Sequence, residues 1–108
     1  MPEKTWTLDL FGNTVTVKLV PQGDPAIQGR SGLMCRDLQI ILLGNDMAPD
    51  QMRSTLLHEI IEWIGATMGL QLDERTILSL ETGLFECLTR NGVDFEPLLG
   101  DSWEKKYA

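Results

Sequence analysis

The stretch Ser54-Thr55-Leu56-Leu57-His58-Glu59-Ile60-Ile61-Glu62-Trp63-Ile64 decides how this chain folds. It lies inside a longer segment that opens on Ala48-Pro49-Asp50 and closes at Met68-Gly69. Proline is harmless in the first turn of a helix, where its missing N–H has no partner to lose. Glycine suits the left-handed residue just past the last turn. Between these marks Leu57, Ile61, Ile64 and Met68 recur at helical spacing, widened by Leu56 and Ile60, so a helix with one apolar face is expected. His58 and Glu62 fall on the strip beside that face, together with Thr55 and Gly65. Small residues flanking a His/Glu pair leave room for another segment, or a ligand, to come close.

Toward the N-terminus the pattern changes to alternation. Residues 5–11 place Trp6, Leu8 and Leu10 on one side and Thr5, Thr7 and Asp9 on the other; residues 14–20 repeat this with Val15, Val17 and Leu19. Two alternating runs around Gly12-Asn13 predict a β-hairpin. Residues 21–32, rich in Pro and Gly, read as a loop, and the apolar run 38–43 as a strand covered on both faces. Toward the C-terminus Leu72-Asp73 announces a second helix, with Asp73 as N-cap, that runs to about Arg90 before Asn91-Gly92. Its apolar stripe is Ile77, Leu84 and Leu88, flanked by Leu78 and Phe85. The expected fold is therefore α+β: a hairpin plus a further strand in a small antiparallel or mixed sheet, packed on two principal helices. One domain over residues 1–108 is expected, with its core in 5–92 and a polar tail in 97–108.

Composition narrows the function classes. The chain has 108 residues, 43% of them hydrophobic and 23% charged, as in ordinary globular domains. Its net charge is −7 with no basic run, which argues against a nucleic-acid surface. No apolar run is long enough to span a membrane, and Met1-Pro2-Glu3-Lys4 is not followed by a signal-like apolar core, so a cytoplasmic protein is expected. Cys35 and Cys87 form no CxxC pair and read as two buried, reduced thiols. Nothing in the pattern specifies an oligomeric state.

His58 is the only histidine and opens the pattern His-Glu-x-x-Glu. Residues four apart on a helix share a face and can grip one cation. The standard form carries a second histidine at the fourth position and uses the intervening glutamate as general base toward water. Here the fourth position is Glu62, and the base would be Glu59. Glu81 is the second telling residue, because it falls in the apolar stripe of the second helix, four after Ile77 and three before Leu84. A carboxylate in that position costs several kcal/mol unless it is paired or bound to a metal. Facing Glu62 it would also repel, so His58, Glu62 and Glu81 make best sense around a cation. With Zn²⁺, a neutral imidazole and two carboxylates give a site of zero net charge. A carboxylate in place of imidazole also shifts preference toward harder cations such as Mn²⁺ or Fe²⁺.

Glu81 lies 23 residues after His58, a spacing that resembles the gluzincins, in which a glutamate on the next helix is the third zinc ligand. The chain is more similar to the small zincin-like proteins of phages and prophages. The residues that carry this are Gly32-Leu33-Met34-Cys35, the run 38–43, Ser54-Thr55-Leu56-Leu57-His58-Glu59, Leu72-Asp73-Glu74 and Gly83-Leu84-Phe85. The likeness spans residues 5–92 and is most specific in the His-Glu helix and the helix after it. It implies a zincin-like metallopeptidase with His58 as first ligand, Glu59 as general base and Glu62 where the family has its second histidine. Glu81 is then the third ligand, with Glu74 and Glu86 as the other positions to weigh. It also implies a peptide or protein substrate held in extended form by an edge strand, 38–43 or a neighbour.

The departure at Glu62 keeps a second class open: a non-catalytic module of the same fold, serving as a phage accessory or protein-interaction domain. Plainer roles stand beside each assignment. His58 and Glu81 can form a metal-free ion pair, its histidine protonated because carboxylates surround it. Glu62 can be solvated or paired with Arg53 or His58, and Glu59 can be a surface residue. Trp6, Trp63 and Trp103 read as packing, Tyr107 lies in the tail, and no Tyr or second His stands near the motif to stabilise an oxyanion.

Overall fold

The first turn is made by Phe11 and Gly12, whose φ angles of 55° and 79° are both left-handed. Two such residues in a row give the twist that joins adjacent antiparallel strands. The strands are β1 (Thr5–Leu10) and β2 (Asn13–Val20), with Leu10 opposite Asn13 as the last pair. The loop thus sits one residue earlier than the Gly12-Asn13 pair suggests. This computed structural model describes residues 4–99. Trp103, Tyr107 and most of the expected tail fall outside the described residues.

A short strand not expected from the sequence, β3 (Gly32–Cys35), forms a second hairpin with β4 (Ile40–Gly44). Residues 36–39 make its turn, with Gln39 at φ 53°. The apolar run therefore enters the sheet two residues late, leaving Leu38 exposed. Strand order is β1-β2-β4-β3, with β2 and β4 parallel and the other pairs antiparallel, so the sheet is mixed. Because β3 lies at the outer edge, the chain must turn back and insert β4 beside β2.

Register brings Trp6 opposite Val17, Leu8 opposite Val15, Val17 opposite Ile41, Leu19 opposite Leu43, and Met34 opposite Ile41. These side chains share one face, and Val15, Val17, Ile41 and Leu43 are fully buried in the core. On the other face of β4, Ile40 and Leu42 are only half-buried, so that strand is not covered equally on both sides.

Two helices complete the fold, α1 (Pro49–Met68) and α2 (Glu74–Arg90). Both caps follow the sequence: Gly69 is left-handed at φ 70°, and the Asp73 carboxylate accepts from the Thr76 N–H at 2.7 Å. The buried face of α1 differs from the expected stripe. Leu56 and Ile61 of that stripe are buried, but they are joined by Met52, Glu59 and Trp63, whereas Ile64 and Met68 are exposed. The reason is that α1 is covered on two sides, by the sheet and by α2 with its preceding loop, and the remaining arc holds Ile64 and Met68. On α2 only Ile77 is buried; Glu81, Phe85 and Leu88 are half-buried and Leu84 is exposed. Phe85 takes the place expected of Leu84 by stacking on Phe95, ring centroids 5.5 Å apart.

Small residues set the layer spacing. A Cβ at Gly32 would meet the Thr55 side chain at 3.0 Å, and one at Gly65 would meet Leu72 at 3.0 Å. At the C-terminal turn Leu99 is fully buried, and the Trp6 indole N–H donates to the Leu98 carbonyl at 2.7 Å. The thiols are free, but they are not buried as expected: Cys35 is half-buried on the edge strand and Cys87 is exposed on α2. Among the described residues no helix is long and apolar enough to cross a membrane.

Candidate metal centre

Helical geometry separates the three motif residues of α1. His58 and Glu62, one turn apart, turn toward α2, while Glu59 turns under the sheet side and is 3% exposed. Glu59 is thus not the surface residue of the plainer reading. The His58 Nε2 lies 3.2 Å from Glu62 Oε1 and 3.6 Å from Glu74 Oε2. The other ring nitrogen, Nδ1, lies 2.8 Å from Glu81 Oε1. The Ser54 hydroxyl donates to the second oxygen of Glu81. The carboxylate in the apolar stripe of α2 is therefore satisfied twice, by a histidine and a serine one turn apart on α1.

The structure brings His58, Glu59, Glu62 and Glu81 into one neighbourhood, with Glu74 at its rim. Glu86 lies elsewhere, paired with Arg90 on the exposed side of α2, and Arg53 pairs with Asp50 rather than Glu62. Ser54 was legible in principle, since it precedes His58 by four residues on the same strip. Arg30 was not: it comes from the loop before β3, and no local pattern ties it to the motif.

The electrostatics arise from burial and crowding. Burial, reinforced by the negative charge of Glu62, pushes the Glu59 carboxyl up to about 7, against the opposing pull of His58 and Arg30. Burial and the neighbouring Glu74 raise Glu62 as well, partly offset by His58. For His58 burial works to lower the pKa, but the Glu81 hydrogen bond and the charges of Glu59, Glu62 and Glu81 outweigh it, leaving the imidazole above its ordinary value.

His58 and Glu59 open onto a pocket of about 340 Å³. Its walls are Arg30, Ser31 and Gly32 on the strand side, Thr55, His58 and Glu59 on α1, and Glu74 and Glu81 on α2. A second hollow of about 270 Å³ adjoins it, sharing Glu74 and bounded by Met34, Glu62, Gly65 and Leu72 among others. The donor set fits a divalent cation. One ligand atom each from His58, Glu59 and Glu62 lie within 4.8 Å of one another, so these three residues could hold a metal ion. Moreover, Glu59 Oε1 is buried with no hydrogen-bond partner among the described residues, the condition a cation or a water would relieve. Comparison with family models, with curated proteins and with solved structures finds no match for this chain.

Proposed function

We propose that this domain is a zincin-like, divalent-metal-dependent peptide hydrolase in which His58 and Glu62 hold the ion and Glu59 moves the proton. The observation that carries this reading is Glu59: a buried carboxyl at the pocket wall, beside His58 and Glu62, with one oxygen unpartnered among the described residues. A surface glutamate has no reason to be in that state. A general base needs a free lone pair within reach of the proton it takes.

Zn²⁺, or a harder cation such as Mn²⁺ or Fe²⁺, would supply Lewis acidity toward the scissile carbonyl and acidify water. His58 and Glu62 would hold it, since Glu62 Oε1 lies 3.2 Å and Glu74 Oε2 3.6 Å from the imidazole Nε2. We assign Glu74 as the third ligand, after His58 and Glu62. Glu81, on Nδ1, then plays the part of the carboxylate that fixes tautomer and ring orientation of a ligating histidine. Glu59 takes a proton from the attacking water and returns it to the leaving amine. The substrate's place is along β3, a sheet edge that begins at the pocket wall with Gly32 and can pair with an extended peptide.

One observation favours a second reading, the non-catalytic module. Both ring nitrogens of His58 already face carboxylates, so an imidazolium between Glu81 and Glu62 satisfies the cluster without metal. Elemental mass spectrometry on the protein and on His58→Ala, followed by a quenched-fluorescent peptide library with each cation, separates the two. Stoichiometric metal lost in the variant, with cleavage by the parent protein, supports the hydrolase. No metal in either, even after incubation with Zn²⁺ and Mn²⁺, leaves the module.

A further inference from the structure

We infer that Arg30 is the second electrophile of the site: its guanidinium stabilises the oxyanion that forms when a peptide carbonyl is attacked beside Glu59. The inference rests on the hydrolase reading above. The helix walls of the pocket offer His58 and the carboxylates of Glu59, Glu74 and Glu81, while the opposite wall offers Arg30. Among the described residues that line this pocket, Arg30 is the one permanent cation.

The loop holds Arg30 in place by its backbone and leaves its side chain free to reach. Its N–H donates to the Ile27 carbonyl at 2.9 Å, and its own carbonyl accepts from Gln22 Nε2 at 3.3 Å. The next residue, Ser31, accepts from the Gly44 N–H at 2.8 Å, tying the loop to β4, and Ile27 is fully buried beneath it. Arg30 itself is exposed. Its charge is felt at Glu59, where it acts against burial.

The chemistry asks for such a group. Glu59 accepts a proton from water, the water oxygen bonds to the carbonyl carbon, and the carbonyl π pair moves onto oxygen as a negative charge. When the C=O re-forms, the C–N bond breaks and the proton on Glu59 passes to the amine. The neutral amide gains that charge only at the adduct, when Glu59 holds the proton and the carboxylates of Glu74 and Glu81 still line the pocket, so a cation that reaches the oxyanion stabilises the adduct over the substrate. A carboxylate at position 62 instead of imidazole also draws charge from a bound cation, leaving more of the oxyanion for Arg30 to stabilise. No tyrosine or second histidine competes for the role among the described residues.

The test uses the full chain loaded with Zn²⁺, its Arg30→Gln and Arg30→Lys variants, a quenched-fluorescent peptide library and a phosphinic tetrapeptide of alanine and leucine. The phosphinic group copies the tetrahedral anion. Arg30→Gln should lower kcat on the order of 10²-fold with KM within about threefold, as for other single oxyanion donors. Its affinity for the phosphinic peptide, read by calorimetry, should fall by a similar factor, and Arg30→Lys should recover part of both. A raised KM with kcat intact would overturn the inference, because Arg30 would then hold the ground-state substrate. Equal kcat and equal phosphinic affinity in Arg30→Gln would overturn it outright. If the parent protein cleaves nothing with any cation, the hydrolase reading itself falls and takes this role with it. That outcome is distinct from an active parent matched by an equally active Arg30→Gln.

Discussion

Nδ1 of His58 lies 2.8 Å from Oε1 of Glu81, so the second helix fixes one ring nitrogen and leaves Nε2 facing Glu62 and Glu74. The ring is oriented before any ligand arrives. Glu81→Gln keeps the shape but removes the charge that sets the tautomer. It should weaken metal binding about 10-fold, the lower end of what such orienting carboxylates contribute. Competition titration against a chelating dye measures this, and unchanged affinity would show that Glu81 does not act through His58.

Metal-free protein should be more stable at mildly acidic pH than at pH 8. Glu59 rises from 4.5 to about 7, so between those values the folded state keeps a proton that the unfolded chain releases. Its contribution is complete below pH 4.5 and lost as pH climbs through 7, about 3 kcal/mol in all. His58, also raised, acts in the same sense: its contribution is present below 6.5 and lost above its folded value. Glu59→Gln should flatten the profile and raise stability at pH 8. With Zn²⁺ bound the trend reverses, since protons then compete with the ion for its ligands. Thermal melts at pH 5.5 and 8, with chelator and with Zn²⁺, give all four values.

Glu62→His should increase Zn²⁺ affinity, by converting the motif to two imidazoles one turn apart on a helix. Isothermal titration of both proteins tests it. The same affinity in both would take Glu62 out of the ligand set.

Gly32→Ala should destabilise by about 1–3 kcal/mol, the usual cost of overpacking. The new methyl would meet Thr55 at 3.0 Å, Leu43 at 3.2 Å and the Leu42 carbonyl at 3.3 Å, and backbone cannot yield as a flexible side chain can. Urea denaturation gives the number; a loss much under 1 kcal/mol would mean that β3 sits loosely against α1.

Local rules made much of this fold readable. The first hairpin, both helix spans and the caps at Gly69 and Asp73 depend on near neighbours, and sequence carries those directly. Glu81 stood out because a carboxylate in an apolar stripe demands a partner. What escaped was non-local. Four residues of β3 are too few for alternation to register, and which arc of α1 is buried depends on two neighbours the helix itself does not encode. The same limit hid Arg30 and made Glu59 ambiguous, since its 3% exposure cannot be read from its place on α1 alone.

The two walls of the pocket differ in origin. Every carboxylate of the site, with His58 and Ser54, comes from one helical hairpin within residues 54–81, whose contacts are close in sequence. The opposite wall arrives from residues 30–32, across the sheet. Without residues 30–32 in place that wall of the pocket is open to water, and the burial that raises Glu59 is reduced. The anomalous titration of one carboxyl is thereby a gauge of closure: a site-specific carbon resonance of Glu59, followed through refolding, would record the moment the sheet locks onto the helices.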